Sequence, residues 1–371
     1  MPRLIIVDPI LRGSRLHYTQ LAARGLAADY DVIVLGRRGG VFERSAKYCG
    51  IFVLSDDFWY GRVGFFNFLR LAKFLMSLRR AEGDRLYFSG LNEWMPWFSI
   101  ISLILAIKKI KTVAIDYEGK YWTDGKDSGQ RQILGRLSRK VLTWIKELKV
   151  GVLDERLSLH SYCRTFFIPD PPVFNKRYVA DKVKDVGSEG VRFLTFGVQS
   201  ERKGIRLLEE LVSKHAGILI KNNIFIRCVG ALGDDAFDLE PSLRLASGNG
   251  CFEWIPEYIS EERLEEEVSK VDFILLPYHP MFEGSSGVLA HACLWGRPVL
   301  ASQHGVVGYR VKKFFIGDVF NYEISGFIEK IAGMNKEFVS SDRYMHGRSE
   351  FLGEFSEERH LNILGKELSE W

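Results

Sequence analysis

The strongest constraint on the fold is a regular alternation of short apolar runs with segments of helical spacing. In the first half of the chain the apolar runs cover residues 4–7, 31–35, 51–54, 85–88, 112–115 and 149–153. In the second half they cover residues 192–196, 225–229, 251–255, 272–276 and 297–301. Most end at a Gly, Asp or Ser, and helical spacing follows several of them. This order predicts two doubly wound α/β domains, each with a parallel sheet covered on both faces.

A break separates the two halves. Ile168-Pro169-Asp170-Pro171-Pro172 can continue neither a helix nor a central strand, and polar sequence runs on to about Gly190. We therefore predict an N-terminal domain over residues 1–170, a linker over 171–190 and a C-terminal domain over 191–349. Residues 350–371 have helical spacing and are expected to form a final helix.

Composition excludes several classes of protein. A net charge of +4 on 371 residues does not suit a general nucleic-acid binder, and no nucleic-acid partner is expected. The five cysteines are scattered and form no C-x-x-C, which argues against a disulfide framework or a zinc site. The apolar run at the start is too short for a signal peptide, so a cytoplasmic location is expected.

One apolar segment raises the question of a membrane. Residues 96–107 (PWFSIISLILAI) are followed by Lys108, Lys109 and Lys111, but the run is shorter than the roughly 20 residues that span a bilayer. A buried crossover helix is the simpler interpretation. The alternative is a surface that touches an anionic membrane from the cytoplasmic side.

The first segment with the chemistry of a binding site is Gly197–Gly204 (GVQSERKG), which joins a strand to a helix. Its glycines allow backbone amides to approach a ligand, and the helix start carries partial positive charge. Arg202 and Lys203 add two full charges, so the segment suits a diphosphate. The order of residues is not that of a P-loop. A solvated turn with two surface cations is the alternative.

The second segment, residues 282–292 (FEGSSGVLAHA), also opens a helix after a strand. Ser285, Ser286 and Gly287 offer hydroxyls and amides to phosphate oxygens. Glu283 would repel phosphate and is better interpreted as an acceptor for sugar hydroxyls. His291 either hydrogen-bonds a ribose or is simply buried.

These two segments, in this order, resemble the donor half of GT-B glycosyltransferases, and glycosyltransferase family 4 most closely. That family has a G-x-x-x-x-R/K-K-G-like turn, matched by Gly197 to Gly204, and a Glu matched by Glu283. The resemblance implies two Rossmann-like domains that face each other across a cleft. It also implies that the C-terminal helix packs back toward the N-terminal domain.

The resemblance assigns roles to residues of this chain. Arg202 and Lys203 would bind the donor diphosphate, and Glu283 would contact the transferred sugar. The backbone amides of Ser286, Gly287 and Val288 would bind phosphate. The nucleobase would lie by the strand end at Ile255 and Glu257, and Gly13 would lie in the first loop near the phosphates.

The chain departs from the family pattern at three places. His291 replaces the second Glu, which is usually a ribose ligand, and Val198 replaces an Arg that often follows the first Gly. The N-domain His of the family is not evident, and Asp116 and Glu118 occupy that neighbourhood. Either carboxylate could serve as the base if the reaction inverted the anomeric centre.

The function implied by the resemblance is transfer of a hexose-type sugar from a UDP- or GDP-sugar to a glycan or lipid-linked acceptor. Such an enzyme would act in bacterial surface polysaccharide synthesis, peripheral to the inner face of the membrane. It would retain the anomeric configuration and require no metal or cofactor besides the donor. Two alternatives stay open: a GT-B sugar-nucleotide epimerase, and a catalytically silent sugar-nucleotide-binding subunit.

Overall fold

The computed structural model describes residues 1–8, 13–37, 52–54, 58–59, 62–78, 83–91, 94–95, 97–117, 141–157, 164–172 and 190–371. The chain divides into two compact units. The first comprises Met1–Val173 together with Ser356–Trp371, and the second comprises Phe174–Phe355. Most of the predicted linker, residues 173–189, lies outside the described residues.

The first unit is built on a seven-stranded parallel sheet in the order β3-β2-β1-β6-β7-β8-β9. Its elements up to β9 are β1 Arg3–Asp8, α1 Gly13–Gly25, β2 Asp31–Arg37, β3 Phe52–Leu54, β4 Phe58–Trp59, β5 Arg62–Val63, α2 Phe65–Ser77, β6 Arg85–Phe88, α3 Trp97–Lys108, β7 Lys111–Asp116, β8 Leu148–Val152 and β9 Thr165–Phe167. Strands β4 and β5 form a separate antiparallel pair.

The second unit has a six-stranded parallel sheet in the order β12-β11-β10-β13-β14-β15. Its elements are β10 Val191–Phe196, α4 Ile205–Lys214, α5 Ala216–Lys221, β11 Ile224–Val229, α6 Glu240–Ala246, β12 Phe252–Ile255, α7 Glu261–Ser269, β13 Phe273–Leu276, α8 Gly287–Leu294, β14 Val299–Ser302, α9 Gly305–Phe314, β15 Gly317–Phe320, α10 Ile324–Gly333 and α11 Asp342–Glu354. The last helix, α12 Glu357–Ser369, belongs to the first unit.

Continuous apolar runs form these strands because both faces of each sheet are covered. Leu4 and Ile6 of β1 face a core layer with α1 and α12, whereas Ile5 and Val7 face the layer with α2 and α3. Such strands have no solvent-facing side and therefore lack the apolar–polar alternation of a half-exposed sheet. The predicted α/β class with two doubly wound parallel sheets is confirmed.

Two features differ from the expectations. Residues 350–371 do not form one helix, because α11 ends at Glu354 and the hydroxyl of Ser356 caps α12 by accepting from the amide of Arg359 at 3.2 Å. Most of the apolar segment forms α3, Trp97–Lys108, which is only partly buried because its Ile107 is 79% exposed. Among the described helices, none has both the length and the apolar character needed to cross a bilayer.

Candidate active site

The order of the strands in the second unit reverses between β10 and β13. Strands β11 and β12 follow β10 on one side, whereas β13, β14 and β15 extend the sheet on the other. In open parallel sheets, a crevice for ligands forms at such a switch point, beyond the carboxyl ends of the strands. The loop Gly197–Gly204 leaves the end of β10, and the loop from Pro277 to Ser286 leaves the end of the adjacent β13. Both segments singled out in the sequence therefore start at this point.

The two loops approach each other closely at Gly204. This residue has φ of +80°, and a Cβ there would overlap the carbonyl oxygen of Pro277. The amide of His279 donates to the carbonyl oxygen of Arg202 at 3.1 Å. Only glycine combines the left-handed conformation with this close backbone contact. Gly204 therefore allows the first loop to pack directly against the second.

A buried glutamine holds the first loop in shape. Gln199 donates from its side-chain amide to the carbonyl oxygen of Gly197 at 2.9 Å. Its backbone exchanges hydrogen bonds with the loop after β11, to Ala231 at 2.9 Å and from Gly233 at 2.7 Å. The loop is thus an extension of the sheet and not a solvated turn, because its backbone bonds to the neighbouring loop.

Arg206, in the first turn of α4, forms ion pairs with two carboxylates beside this loop. Its guanidinium pairs with Glu201 and, at 2.8 Å, with Asp238. These hydrogen bonds, that to Asp238 first, raise the pKa of Arg206. Asp235 accepts from the amide of Glu201 at 3.2 Å, which caps the short turn Glu201–Lys203. Glu201 and Asp238 are therefore engaged with Arg206, and Asp235 is engaged with backbone.

Arg202 and Lys203 place two basic side chains at the switch point. Among the described residues, neither forms an ion pair with a carboxylate. Arg202 is exposed, and Lys203 is half-buried with its Nζ beside Gly197. Burial, together with the charge of Arg202, lowers the pKa of Lys203 to about 8. A cation that is costly to bury without a counter-ion favours binding of an anion at the same place.

The second loop is fixed by the buried Tyr278. Its hydroxyl lies 3.0 Å from the Oγ of Ser286, and its carbonyl oxygen accepts from the hydroxyl of Ser302 at 2.6 Å. Burial raises the pKa of Tyr278 to about 12. Ser286 is the residue before α8, yet its side chain does not cap the helix. Ser286 therefore leaves the first amides of α8 without a cap from its side chain, and these amides form the positive end of the helix dipole.

A chain of contacts connects the cations of the first loop with the start of α8. The guanidinium of Arg202 lies 5.5 Å from the centroid of the Phe282 ring. That ring lies 4.4 Å from the ring of Tyr278, whose hydroxyl contacts Ser286. Both predicted anion-binding segments therefore meet within the second unit.

Other predicted residues of the second segment lie around this point. Glu283 is exposed in the loop, with its Cα next to Gly305 at the start of α9. Val288 lies in the first turn of α8. His291 is half-buried one turn further on, with its ring 5.5 Å from that of Trp295.

The remaining predicted residues are not gathered at the switch point. Ile255 ends β12, two strands from β10, and its carbonyl oxygen accepts from the amide of Gly230 at 2.8 Å. Glu257 is exposed and pairs with Arg263 at 2.6 Å. In the first unit, Gly13 begins α1 instead of lying in a loop, and Asp116 is fully buried at the end of β7. Glu118 lies outside the described residues.

Sequence reasoning missed the residues that hold the two loops, namely Gln199, Arg206, Asp235, Tyr278 and Arg310. For Arg310 alone, the sequence pattern indicates a structural role. It occupies a core position of α9, on the side that carries Val306, Val307, Val311 and Phe314. A charged residue on an apolar helical face requires a partner. The other four residues stand in no sequence pattern that indicates such a role.

The architecture is that of the GT-B glycosyltransferases, and the fold predicted from the two segments is confirmed by solved structures of that class. The chain is similar over 98% of its length to WaaG, a glycosyltransferase involved in lipopolysaccharide biosynthesis, with 98% of that chain covered, 13% identity and a TM-score of 0.64. It is similar over its whole length to Anabaena HepE in complex with UDP and glucose, with 100% of that chain covered, 13% identity and a TM-score of 0.69.

A third similar structure is the trehalose-6-phosphate protein from E. coli bound with UDP-2-fluoro glucose. Here 100% of this chain and 99% of that chain are covered, at 12% identity and a TM-score of 0.70. No protein-family model matches the sequence, and no curated protein matches it significantly. At these identities the likeness concerns the fold.

Proposed function

We propose that this protein is a glycosyltransferase that takes a sugar from a nucleoside-diphosphate donor and binds the donor diphosphate at the β10–β13 switch point. One observation carries the proposal. Arg202 and Lys203 have no carboxylate partner among the described residues and meet the uncapped start of α8. HepE, with the same fold, was solved with UDP and glucose. These features favour a diphosphate ligand over other anions.

The chemistry follows from the charges at this point. As the bond between the anomeric carbon and the donor phosphate breaks, negative charge builds up on the leaving diphosphate. This charge is stabilised by Arg202, by Lys203 and by the amides of Gly287 and Val288. Because the charge is larger in the transition state than in the ground state, the stabilisation lowers the barrier. Glu283 accepts hydrogen bonds from the sugar. In a retaining reaction, the acceptor oxygen bonds to the anomeric carbon while its proton passes to a phosphate oxygen.

The direct test is to incubate the protein with a panel of UDP- and GDP-sugars, with and without glycan and lipid-linked acceptors. Products are analysed by mass spectrometry and NMR. We expect release of the nucleoside diphosphate with a new glycosidic bond of retained configuration. An inverted product would contradict the retaining reaction, and epimerised donor without acceptor would identify an epimerase. Binding of a sugar nucleotide without turnover would identify a catalytically silent subunit. Absence of both binding and turnover would contradict the proposal.

Two substitutions test the assignment of residues. Lys203→Ala and Glu283→Ala are each expected to lower the transfer rate by more than about tenfold, the scale of one lost transition-state contact. Lys214→Ala, at an exposed lysine of α4 that pairs with Glu210, is the matched control and should transfer normally. Near-normal transfer by Lys203→Ala or Glu283→Ala would remove that residue from the site.

We also propose that the first unit contacts an anionic membrane, which suits a lipid-linked acceptor. Its helices α2 and α3 pack through a stack of Phe68 on Trp97 at 4.9 Å. They expose large apolar side chains at Phe65, Phe66, Leu69, Met76, Ile100, Leu103 and Ile107. We call these seven side chains the apolar face. Neither helix contains Asp or Glu, and Arg70, Lys73 and Lys108 add positive charge.

A further inference from the structure

Arg310 is a buried cation directly beneath the second loop. Its side chain projects from the middle of α9, and the residue is only 2% exposed. Its Nη1 donates to the Oγ of Ser285 at 2.9 Å. A guanidinium is charged at every accessible pH and can only donate hydrogen bonds. Arg310 can therefore only be the donor in its hydrogen bond with Ser285, and the oxygen of Ser285 must accept.

Aromatic rings hold the guanidinium in place. It lies 4.3 Å from the centroid of Phe355, which stacks on Phe351 at 4.4 Å and contacts Phe314 at 6.0 Å. Stacking of this kind orients the plane of the guanidinium. The apolar surroundings also weaken the screening of its charge, so the charge acts further than that of an exposed arginine.

The hydrogen bond from Arg310 determines how Ser285 can bind a ligand. A serine hydroxyl has one proton and two lone pairs, and here one lone pair is used by Arg310. The proton of Ser285 is directed elsewhere, and no described residue accepts it. Ser285 is partly exposed and directly precedes Ser286, so its O–H can donate to an anion at the start of α8.

We propose that Arg310 is a positioning residue for the phosphate groups of the donor. It keeps Ser285 as a hydrogen-bond donor and places a fixed positive charge behind the loop that opens α8. This inference rests on the proposed donor site and adds to it a residue that does not touch the ligand. Its effect should therefore appear with phosphorylated ligands and not with the nucleoside alone.

The test compares the affinities of UDP and uridine, and in parallel of GDP and guanosine, by calorimetry and ligand-observed NMR. For the better-bound pair, Arg310→Gln should weaken diphosphate binding by about tenfold to a hundredfold, the range of one or two lost charge-assisted contacts. Nucleoside affinity should stay within about twofold. Arg310→Lys, which keeps the charge, should recover part of the loss. Arg343→Gln, at an exposed arginine over the ring of Phe315, removes the same charge and should change neither affinity.

The outcomes separate the two proposals. If the wild-type protein binds no nucleoside diphosphate better than its nucleoside, the donor site fails and this inference fails with it. If wild type does so but Arg310→Gln binds the diphosphate equally well, or loses nucleoside affinity to the same extent, only the role of Arg310 is overturned. If Arg310→Gln does not fold, Ser285→Ala decides, with an expected loss of about threefold to tenfold for the diphosphate alone. Unchanged diphosphate affinity in that variant would overturn the inference.

Discussion

At the scale of single residues, Lys203 should make ligand binding at the proposed donor site sensitive to pH. Its pKa in the free protein is about 8, because burial and Arg202 disfavour the charged form. A diphosphate binds the charged form, so binding raises this pKa and takes up a proton above pH 8. We expect the affinity for UDP or GDP to fall as the pH rises above 8, by up to about tenfold for each pH unit.

The matched variant for this prediction is Lys203→Arg, whose guanidinium stays charged. Its affinity should be level between pH 7 and 9.5, and calorimetry in buffers of different ionisation enthalpy should detect no proton uptake. A wild-type affinity that does not change over this range would show that Lys203 is not the diphosphate ligand.

Substitution of Gly204 is expected to destabilise the protein. Its φ of +80° and the carbonyl oxygen of Pro277 leave no room for a side chain. Gly204→Ala should lower the free energy of unfolding by roughly 2 to 4 kcal/mol. Gly217→Ala is the control, because nothing lies within 4 Å of its Cβ position in α5. That variant should be neutral or more stable by up to about 1 kcal/mol in urea unfolding. Equal stability of the two variants would contradict the close contact between the loops.

At the scale of elements, α12 is attached to the first unit through a buried histidine. The Nδ1 of His360 donates to the carbonyl oxygen of Pro169 at 2.8 Å, and its ring stacks on Tyr18 of α1 at 5.7 Å. Nearby, His17 contacts Glu357 at 3.2 Å. Burial lowers the pKa of His360 to about 4, against an ordinary value of 6.5. Protonation of His360 therefore favours the unfolded state.

Between pH 6.5 and 4 the unfolded chain binds a proton at this histidine that the folded chain does not, so stability falls as the pH falls. The difference between the two pKa values corresponds to about 3 kcal/mol. His360→Gln should lose this part of the dependence when urea unfolding is compared at pH 7 and pH 4.5. His346→Gln, at an exposed histidine, should behave as wild type. A steep dependence that persists in His360→Gln would assign the effect to other groups.

The strands were predictable where burial on both faces left a continuous apolar run, as in Ile5 to Val7 of β1. Strand β15 was not, because Gly317 and Asp318 interrupt the run at the edge of its sheet. The two loops for which anion binding is proposed could be singled out from local residues such as Arg202 and Gly287. Their support could not be, because the backbone of Gln199 bonds to Ala231 and Gly233 and the side chain of Arg310 bonds to Ser285, all on segments distant in the chain.

At the scale of the whole molecule, the apolar face gives a prediction about membranes. Sedimentation with vesicles should show binding to phosphatidylglycerol at low salt and weaker binding to phosphatidylcholine. Leu103→Glu combined with Ile107→Glu should lower the binding by more than about tenfold, since two apolar side chains lose their burial in lipid. Leu245→Glu alters a leucine of the second unit that is 83% exposed and should have no effect. Equal binding by all three proteins would locate the membrane contact elsewhere or exclude it.

The central claim is that the loops after β10 and β13 bind one diphosphate. A crystal structure of the protein soaked or grown with UDP or GDP tests it most directly. We predict a diphosphate within hydrogen-bonding distance of Lys203, Arg202 and the first amides of α8. A nucleotide bound with its phosphates away from these groups, at a fully occupied site, would contradict the account.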